Sequence, residues 1–251
     1  MANPLKQLAG ETAIYGLSTI LARIINFAFV PFYTRLLTQA NYGVVSEFMA
    51  YIAVLQVILV LGLETGCFRF ANKDNVSPVA VYSNALATTF GIGSAFFALL
   101  VVFAKPLSAS MGYSGFHNII IYVGGILALD SVTAILFAKL RQEHKALKFA
   151  IFKTVKILPE TAGNIILFFP FAKYCLSVAS ISGKTIDILT SSDVWLLHFV
   201  SATPDFTYPI FAILLSCIMC AILFLPDMLK FSFEFDGELL KKMLAYSIPL
   251  M

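Results

Sequence analysis

Six long apolar runs restrict what this chain can fold into. Each run holds 18 to 25 residues, and a helix needs about 20 mostly apolar residues to span the hydrocarbon core of a bilayer. Runs 1 to 6 occupy residues 13–37, 44–63, 79–103, 119–138, 149–171 and 208–225. None shows the apolar–polar alternation of a transmembrane β-strand, so helices must satisfy the backbone hydrogen bonds in lipid. The sequence therefore predicts an all-α integral membrane protein with a six-helix transmembrane bundle.

The composition supports this class. Of the 251 residues, 59% are hydrophobic and 12% are charged, whereas soluble domains carry about 25% charged residues. A soluble protein of this size would lack the polar surface to cover so many apolar residues. The sequence also contains no phosphate-binding loop, nucleophile elbow or zinc-protease motif. We therefore expect a protein that is not an enzyme and that needs neither a cofactor nor a metal.

Basic residues are divided unequally between the two sides of the predicted membrane. Ten Lys and Arg residues lie in the N-terminal segment and in the connections after runs 2, 4 and 6, against four on the opposite side. Because cytoplasmic loops carry the excess of Lys and Arg, we expect the N-terminus in the cytoplasm and residues 173–207 outside.

The chain divides into three predicted units. The transmembrane bundle covers residues 1–225, and residues 226–243 form a cytoplasmic linker with an amphipathic segment that Asp236 is expected to cap. The pattern of residues 244–251 predicts the start of a seventh helix, which the end of the chain interrupts. The sequence is therefore expected to be the first half of a longer protein.

Five of the charged residues inside the apolar runs lie deep enough to be the candidate functional residues. At 1.5 Å rise per residue, Arg23 lies about 15 Å into run 1, near the bilayer midplane. Asp130 lies at a similar depth in run 4, and run 5 contains Lys153, Lys156 and Glu160. A charge at the bilayer centre costs about 2.5–3.5 kcal/mol on insertion scales, so such residues are functional candidates by default.

Helical spacing gathers these residues on polar faces. Run 1 places Thr12, Gly16, Thr19, Arg23 and Asn26 on one face, and run 5 does the same with Lys153, Lys156, Glu160 and Asn164. Pro159 interrupts the second face and can open the helix there.

Two interpretations of these charges remain open. In the first, Arg23, Asn26, Lys153 and Lys156 bind an anionic substrate such as a phosphate, since Arg offers two parallel donors and Lys adds charge. In the second, the charges only pair with each other, Lys156 with Glu160 and Arg23 with a carboxylate such as Asp130. Acidic residues near the midplane would bind a coupling ion in the first case and act as counter-ions in the second.

Three segments resemble a known family. The stretch YTRLLTQANYG at residues 33–43 is similar to the YTRLLTPxEYG signature of polysaccharide-exporter flippases. The stretch LGLETGCFRF at residues 61–70 resembles the end of their second helix, and FDGELLKKMLAYSIPL at residues 235–250 resembles their lead into helix seven. These are the Wzx-type O-antigen and lipopolysaccharide flippases of the multidrug/oligosaccharidyl-lipid/polysaccharide exporter superfamily.

The resemblance carries expectations about fold and function. It implies 12–14 helices in two bundles, of which this chain would supply the first and the missing C-terminal half the second. It implies transport of an undecaprenyl-diphosphate-linked oligosaccharide from the inner to the outer leaflet of the bacterial cell membrane by alternating access. Arg23 takes a position in helix one that resembles the cavity arginines of the family, while Lys153 and Lys156 match more loosely.

Two other functions compete with the flippase. A cation-coupled drug antiporter of the related MATE type would depend on acidic midplane residues, but here the basic residues balance Asp130 and Glu160. An O-antigen polymerase or ligase would need a large outward loop with catalytic Arg and His residues. The predicted outward segment offers only His198, Lys173 and Lys184, so the enzyme is the weakest of the three interpretations.

Overall fold

The computed structural model describes residues 4–73, 76–168, 206–229 and 232–250, and all regular structure in these ranges is helical. The α-helices are α1 Pro4–Leu36, α2 Gln39–Val60, α3 Leu63–Ala71, α4 Pro78–Ser110, α5 His117–Gln142, α6 Ala146–Phe168, α7 Thr207–Leu229 and α8 Gly237–Ser247. A short 3₁₀ helix, Ile248–Leu250, follows α8. The predicted all-α fold is confirmed for this part of the chain, whereas most of the predicted outward segment, residues 173–205, lies outside the described residues.

Five segments are long and apolar enough to cross a membrane, judged by length and composition. They are Gly10–Pro31, Gln39–Ala71, Pro78–Ser110, His117–Gln142 and Thr207–Leu229. The sixth predicted span, run 5, is helical as α6, but every stretch of 18 residues in it contains Lys153, Lys156 and Glu160. Those three charges make α6 the polar helix of the bundle.

The second apolar run is broken by a turn that the hydrophobic pattern does not reveal. Helix α2 ends at Val60, and Leu61 and Gly62 both adopt left-handed backbone conformations, with φ of 53° and 62°. Such values are unfavourable for a residue with a side chain such as Leu61. Helix α3 then starts at Leu63, and Arg141 of α5 donates to Glu64 at 3.0 Å to hold it.

Helix α5 is the centre of the bundle. It contacts α2, α3, α4, α6 and α7, while α1 packs on α6 at the periphery. Small residues allow α4 and α5 to approach closely: a Cβ added at Gly93 would lie 3.3 Å from the Ala128 Cα atom. Close packing through small residues is the usual source of helix association in lipid, where the hydrophobic effect is absent.

The outer surface of the bundle is apolar. Large side chains such as Phe27, Val102 and Leu229 are 76%, 73% and 78% exposed. A soluble monomer rarely exposes so much contiguous apolar area, so this surface suits contact with lipid. Composition, helix length and surface agree that the chain is a helical membrane protein.

Residues 232–236 and α8 lie at the basic end of the bundle, the end that carries Lys145, Lys241 and Lys242. Helix α7 continues through Pro226 to Leu229, past the predicted start of the linker, and residues 232–236 form neither a helix nor a strand. Asp236 caps α8 as predicted, accepting from the Glu238 and Leu239 amides. The buried Asn84 side chain of α4 holds the segment by donating to the Asp236 carbonyl at 2.8 Å and accepting from its amide at 3.1 Å.

Candidate functional site

An ion pair lies at the centre of the helical bundle. Lys156 of α6 donates to the Asp130 carboxylate of α5, and the two side chains are 20% and 27% exposed. Lys156 lies midway along the 23 residues of α6, and Asp130 lies midway along the 26 residues of α5. The pair therefore sits near the midplane of any bilayer that these helices span.

Helix α7 completes the polar cluster. Ser216 donates from its hydroxyl to the Lys156 carbonyl, and the Cys217 sulfur lies 3.7 Å from Asp130 Oδ1. Pro159 lacks an N–H, so α6 has lost one backbone hydrogen bond in this turn. The lost bond is the one to the Val155 carbonyl, and the Ser216 hydroxyl binds the next carbonyl in the same turn, so the cluster joins α5, α6 and α7.

The structure decides between the pairings left open by the sequence. Lys156 pairs across helices with Asp130, and not with Glu160 one turn along its own helix as the i,i+4 spacing suggested. Arg23 makes no ion pair with either carboxylate in the part of the chain that the structure describes. Helix spacing gives only the neighbours along one helix, whereas the rotation of α5 against α6 sets the partner of Lys156.

Lys153 and Asn164 flank this cluster along α6. The Lys153 ammonium lies 5.2 Å from the centre of the Phe137 ring, close enough for a cation–π interaction. Asn164 is buried and donates to the Glu160 carbonyl at 2.8 Å, while its own carbonyl oxygen has no partner among the described residues. Helices α6 and α7 meet beside it, since a Cβ at Gly163 would lie 3.1 Å from the Ala212 Cβ.

Helix α1 presents the other candidate residues on its open side. Arg23 and Asn26 are exposed and have no hydrogen-bond or ion-pair partner among the described side chains. Around Arg23, Ile20, Ile24 and Phe27 are 54%, 59% and 76% exposed. The guanidinium thus lies within the apolar segment Gly10–Pro31 with no neutralising group among the described residues.

The candidate residues therefore form two separate features. One is the paired cluster of α5, α6 and α7, and the other is the open polar face of α1. Within the described ranges, no three His, Cys, Asp or Glu side chains are grouped in a way that would hold a metal ion. The arrangement offers an uncompensated cation inside an apolar span, which suits binding of an anion.

The comparison with protein families agrees with this membrane architecture. A family model described as polysaccharide biosynthesis protein matches residues 8–251. The chain belongs to this polysaccharide biosynthesis family. Neither a curated protein nor a solved structure matches the chain.

The range matched by the polysaccharide biosynthesis family includes both features of the site. The matched range includes all of α1 after its first turn and the complete α5, α6 and α7. Ser216 and Cys217, which complete the central cluster, were not among the residues singled out from the sequence. No sequence signal marked them, because a hydroxyl or thiol in an apolar run is also an ordinary packing residue.

Proposed function

We propose that the protein is a flippase that moves a lipid-linked oligosaccharide from the inner to the outer leaflet of the bacterial cell membrane. Its substrate would be the oligosaccharide on a polyprenyl diphosphate carrier, and no covalent chemistry would be involved. The polysaccharide biosynthesis family and the helical membrane architecture support this proposal. The single observation that carries it is the open, unpaired Arg23 inside the apolar span of α1.

Arg23 suits a diphosphate because of its geometry and its surroundings. A guanidinium donates two parallel hydrogen bonds to phosphate oxygens, whereas an ammonium acts as a point charge. A charge facing lipid directly would be costly, so the α1 face that carries Arg23 must line a polar cavity or a second part of the transporter. Asn26, one turn further on the same face, supplies amide donors and acceptors for the same ligand.

The central cluster has a different proposed role. Lys156 is neutralised by Asp130, so its charge is less available to substrate than that of Arg23. We assign this pair to holding α5 and α6 together, and Lys153 to a secondary contribution to the positive potential of the cavity. Glu160 is the remaining candidate for ion coupling, since Asp130 already has a partner.

The proposed orientation places the N-terminus and α8 in the cytoplasm. Lysines gather at one end of the bundle, where Lys145, Lys241 and Lys242 accompany the ends of α5, α6 and α8. Neither the family match nor the paired Asp130 favours the cation-coupled drug antiporter.

The proposal is tested by complementation of a flippase-deficient bacterial strain with the complete gene. Arg23→Ala should abolish transport while leaving the amount of protein in the membrane unchanged, because removal of an unpaired charge lowers the insertion cost. The Arg23→Lys variant should show little transport, because the ammonium keeps the charge but lacks the two parallel donors of the guanidinium. Lys105→Ala, which removes an exposed cation near the end of α4, is the matched control and should transport normally.

A different pattern would contradict the substrate-binding role. If Arg23→Ala reduces protein abundance, and Glu160→Gln restores both abundance and transport, Arg23 is a counter-ion and the proposal fails. Normal transport by Arg23→Ala would equally refute it.

A further inference from the structure

A cavity opens at the basic end of the bundle, away from both features of the candidate site. It lies between the ends of α4, α5, α6 and α7 and has a volume of about 330 Å³. Its polar lining includes Tyr82, Lys139, Glu143, Lys145, Lys148 and Asp227. Four helix ends therefore bring charged and apolar groups together around one opening.

The charges of the cavity leave an excess of one positive charge. Lys139 and Lys145 both approach Glu143, at 3.7 and 2.6 Å, and Lys148 donates to Asp227 Oδ1 at 2.6 Å. Three ammonium groups thus face two carboxylates. The excess positive charge suits a phosphodiester group, which carries one negative charge.

Two residues that line the cavity each carry a buried polar atom with no partner among the described residues. These atoms are the hydroxyl of Tyr82, a residue that is 2% exposed, and Oδ2 of Asp227. Buried polar atoms are almost always hydrogen-bonded in folded proteins. A ligand that accepts from Tyr82 and donates to Asp227 would satisfy both atoms.

The apolar side of the cavity continues onto the lipid-facing surface. Leu86, Leu136 and Met228 line it. On α7, Leu225 and Leu229 lie beside Met228 and are 51% and 78% exposed. An acyl chain can therefore leave the cavity along α7 while a headgroup stays inside.

We propose that this cavity binds a membrane phospholipid whose headgroup carries a phosphodiester and an N–H donor, of the phosphoethanolamine class. The phosphate is held by Lys139, Lys145 and the Tyr82 hydroxyl, and the ammonium donates to Asp227 Oδ2. Phosphocholine has the same charges but no N–H group, so it leaves Asp227 unsatisfied. This binding is independent of the proposed transport function.

The test compares phosphatidylethanolamine with phosphatidylcholine of identical acyl chains on the full chain, purified and delipidated in detergent. Phosphatidylethanolamine should raise the thermal unfolding midpoint more and bind about tenfold more tightly, the effect of one hydrogen bond to a charged group. Soluble glycerophosphoethanolamine forms a second arm and should bind more weakly than the lipid, because it lacks the acyl chains. Equal binding of the two lipids overturns the proposal, and equal binding of the soluble headgroup overturns the assignment to a lipid.

Tyr82→Phe locates the site. It should leave the stability of the lipid-free protein unchanged, since the hydroxyl has no partner there, and should weaken phosphatidylethanolamine binding about tenfold. Tyr15→Phe is the matched control, because the Tyr15 hydroxyl is also buried without a partner but does not line the cavity. If Tyr82→Phe binds the lipid as well as Tyr15→Phe does, the cavity is not the site.

Discussion

Replacing Lys156 by Met should destabilise the bundle by leaving Asp130 without its partner. The substitution removes the ammonium but keeps most of the volume of the side chain, so the loss comes from electrostatics rather than from a cavity. It leaves the half-buried Asp130 carboxylate with only the Thr133 hydroxyl at 3.4 Å and the Cys217 thiol at 3.7 Å. These neutral donors cannot replace a charge.

The size of the effect follows from the burial of the pair. Stranding one member of a buried ion pair costs about 3–5 kcal/mol, and the remaining exposure of 20% and 27% places this pair at the lower end, at about 3 kcal/mol. For a chain of this size, about 3 kcal/mol lowers the unfolding midpoint by about 6–12 °C.

Thermal unfolding of the purified protein in detergent at pH 7 measures the effect. Lys153→Met is the matched control, because Lys153 lies one turn away and forms no ion pair with a described side chain. The double substitution Lys156→Met with Asp130→Asn should recover most of the stability. The reasoning is refuted if Lys156→Met unfolds at pH 7 at the same temperature as Lys153→Met.

Two further predictions concern packing at the basic end. A methyl group at Gly66 would overlap the Ser247 hydroxyl, so Gly66→Ala should lower the free energy of unfolding by about 1–3 kcal/mol. Ser247→Ala should be neutral by itself and should restore the stability of the Gly66→Ala variant. If the double variant is no more stable than Gly66→Ala, the proposed clash is wrong. Asn84→Leu removes both hydrogen bonds to Asp236 and should cost about 2 kcal/mol, seen as faster amide hydrogen exchange at Asp236 with no change in the centre of α5. Unchanged amide hydrogen exchange at Asp236 would show that other contacts hold residues 232–236 in place.

Features that depend on a short stretch of sequence were predictable. Apolar run length locates the long helices α1, α2, α4, α5, α6 and α7, because the requirement to span lipid acts on one segment at a time. The cap at Asp236 is equally local, since its side chain reaches only the Glu238 and Leu239 amides. Even so, the left-handed turn at Leu61 and Gly62 escaped prediction, because an apolar Leu gives no sign of the strained conformation that its surroundings impose.

Features that depend on helix rotation were not predictable. The spacing along α6 favours Lys156 with Glu160, yet the packed bundle presents Asp130 from another helix. The depth of Arg23 in the membrane follows from its position in run 1. Its lack of an ion-pair partner among the described residues depends instead on where the neighbouring helices lie. The ends of four helices line the cavity at the basic end, so no contiguous sequence motif predicts it.

Reconstituted transport tests the central claim most directly. The measurement is the rate at which a polyprenyl-diphosphate-linked oligosaccharide placed in one leaflet of a proteoliposome becomes accessible in the other. We expect the complete protein and the Lys105→Ala variant to exchange the substrate rapidly between leaflets. The Arg23→Ala variant should exchange it only at the background rate. Exchange by the Arg23→Ala variant at the normal rate, or no exchange by the complete protein, would contradict the proposed function.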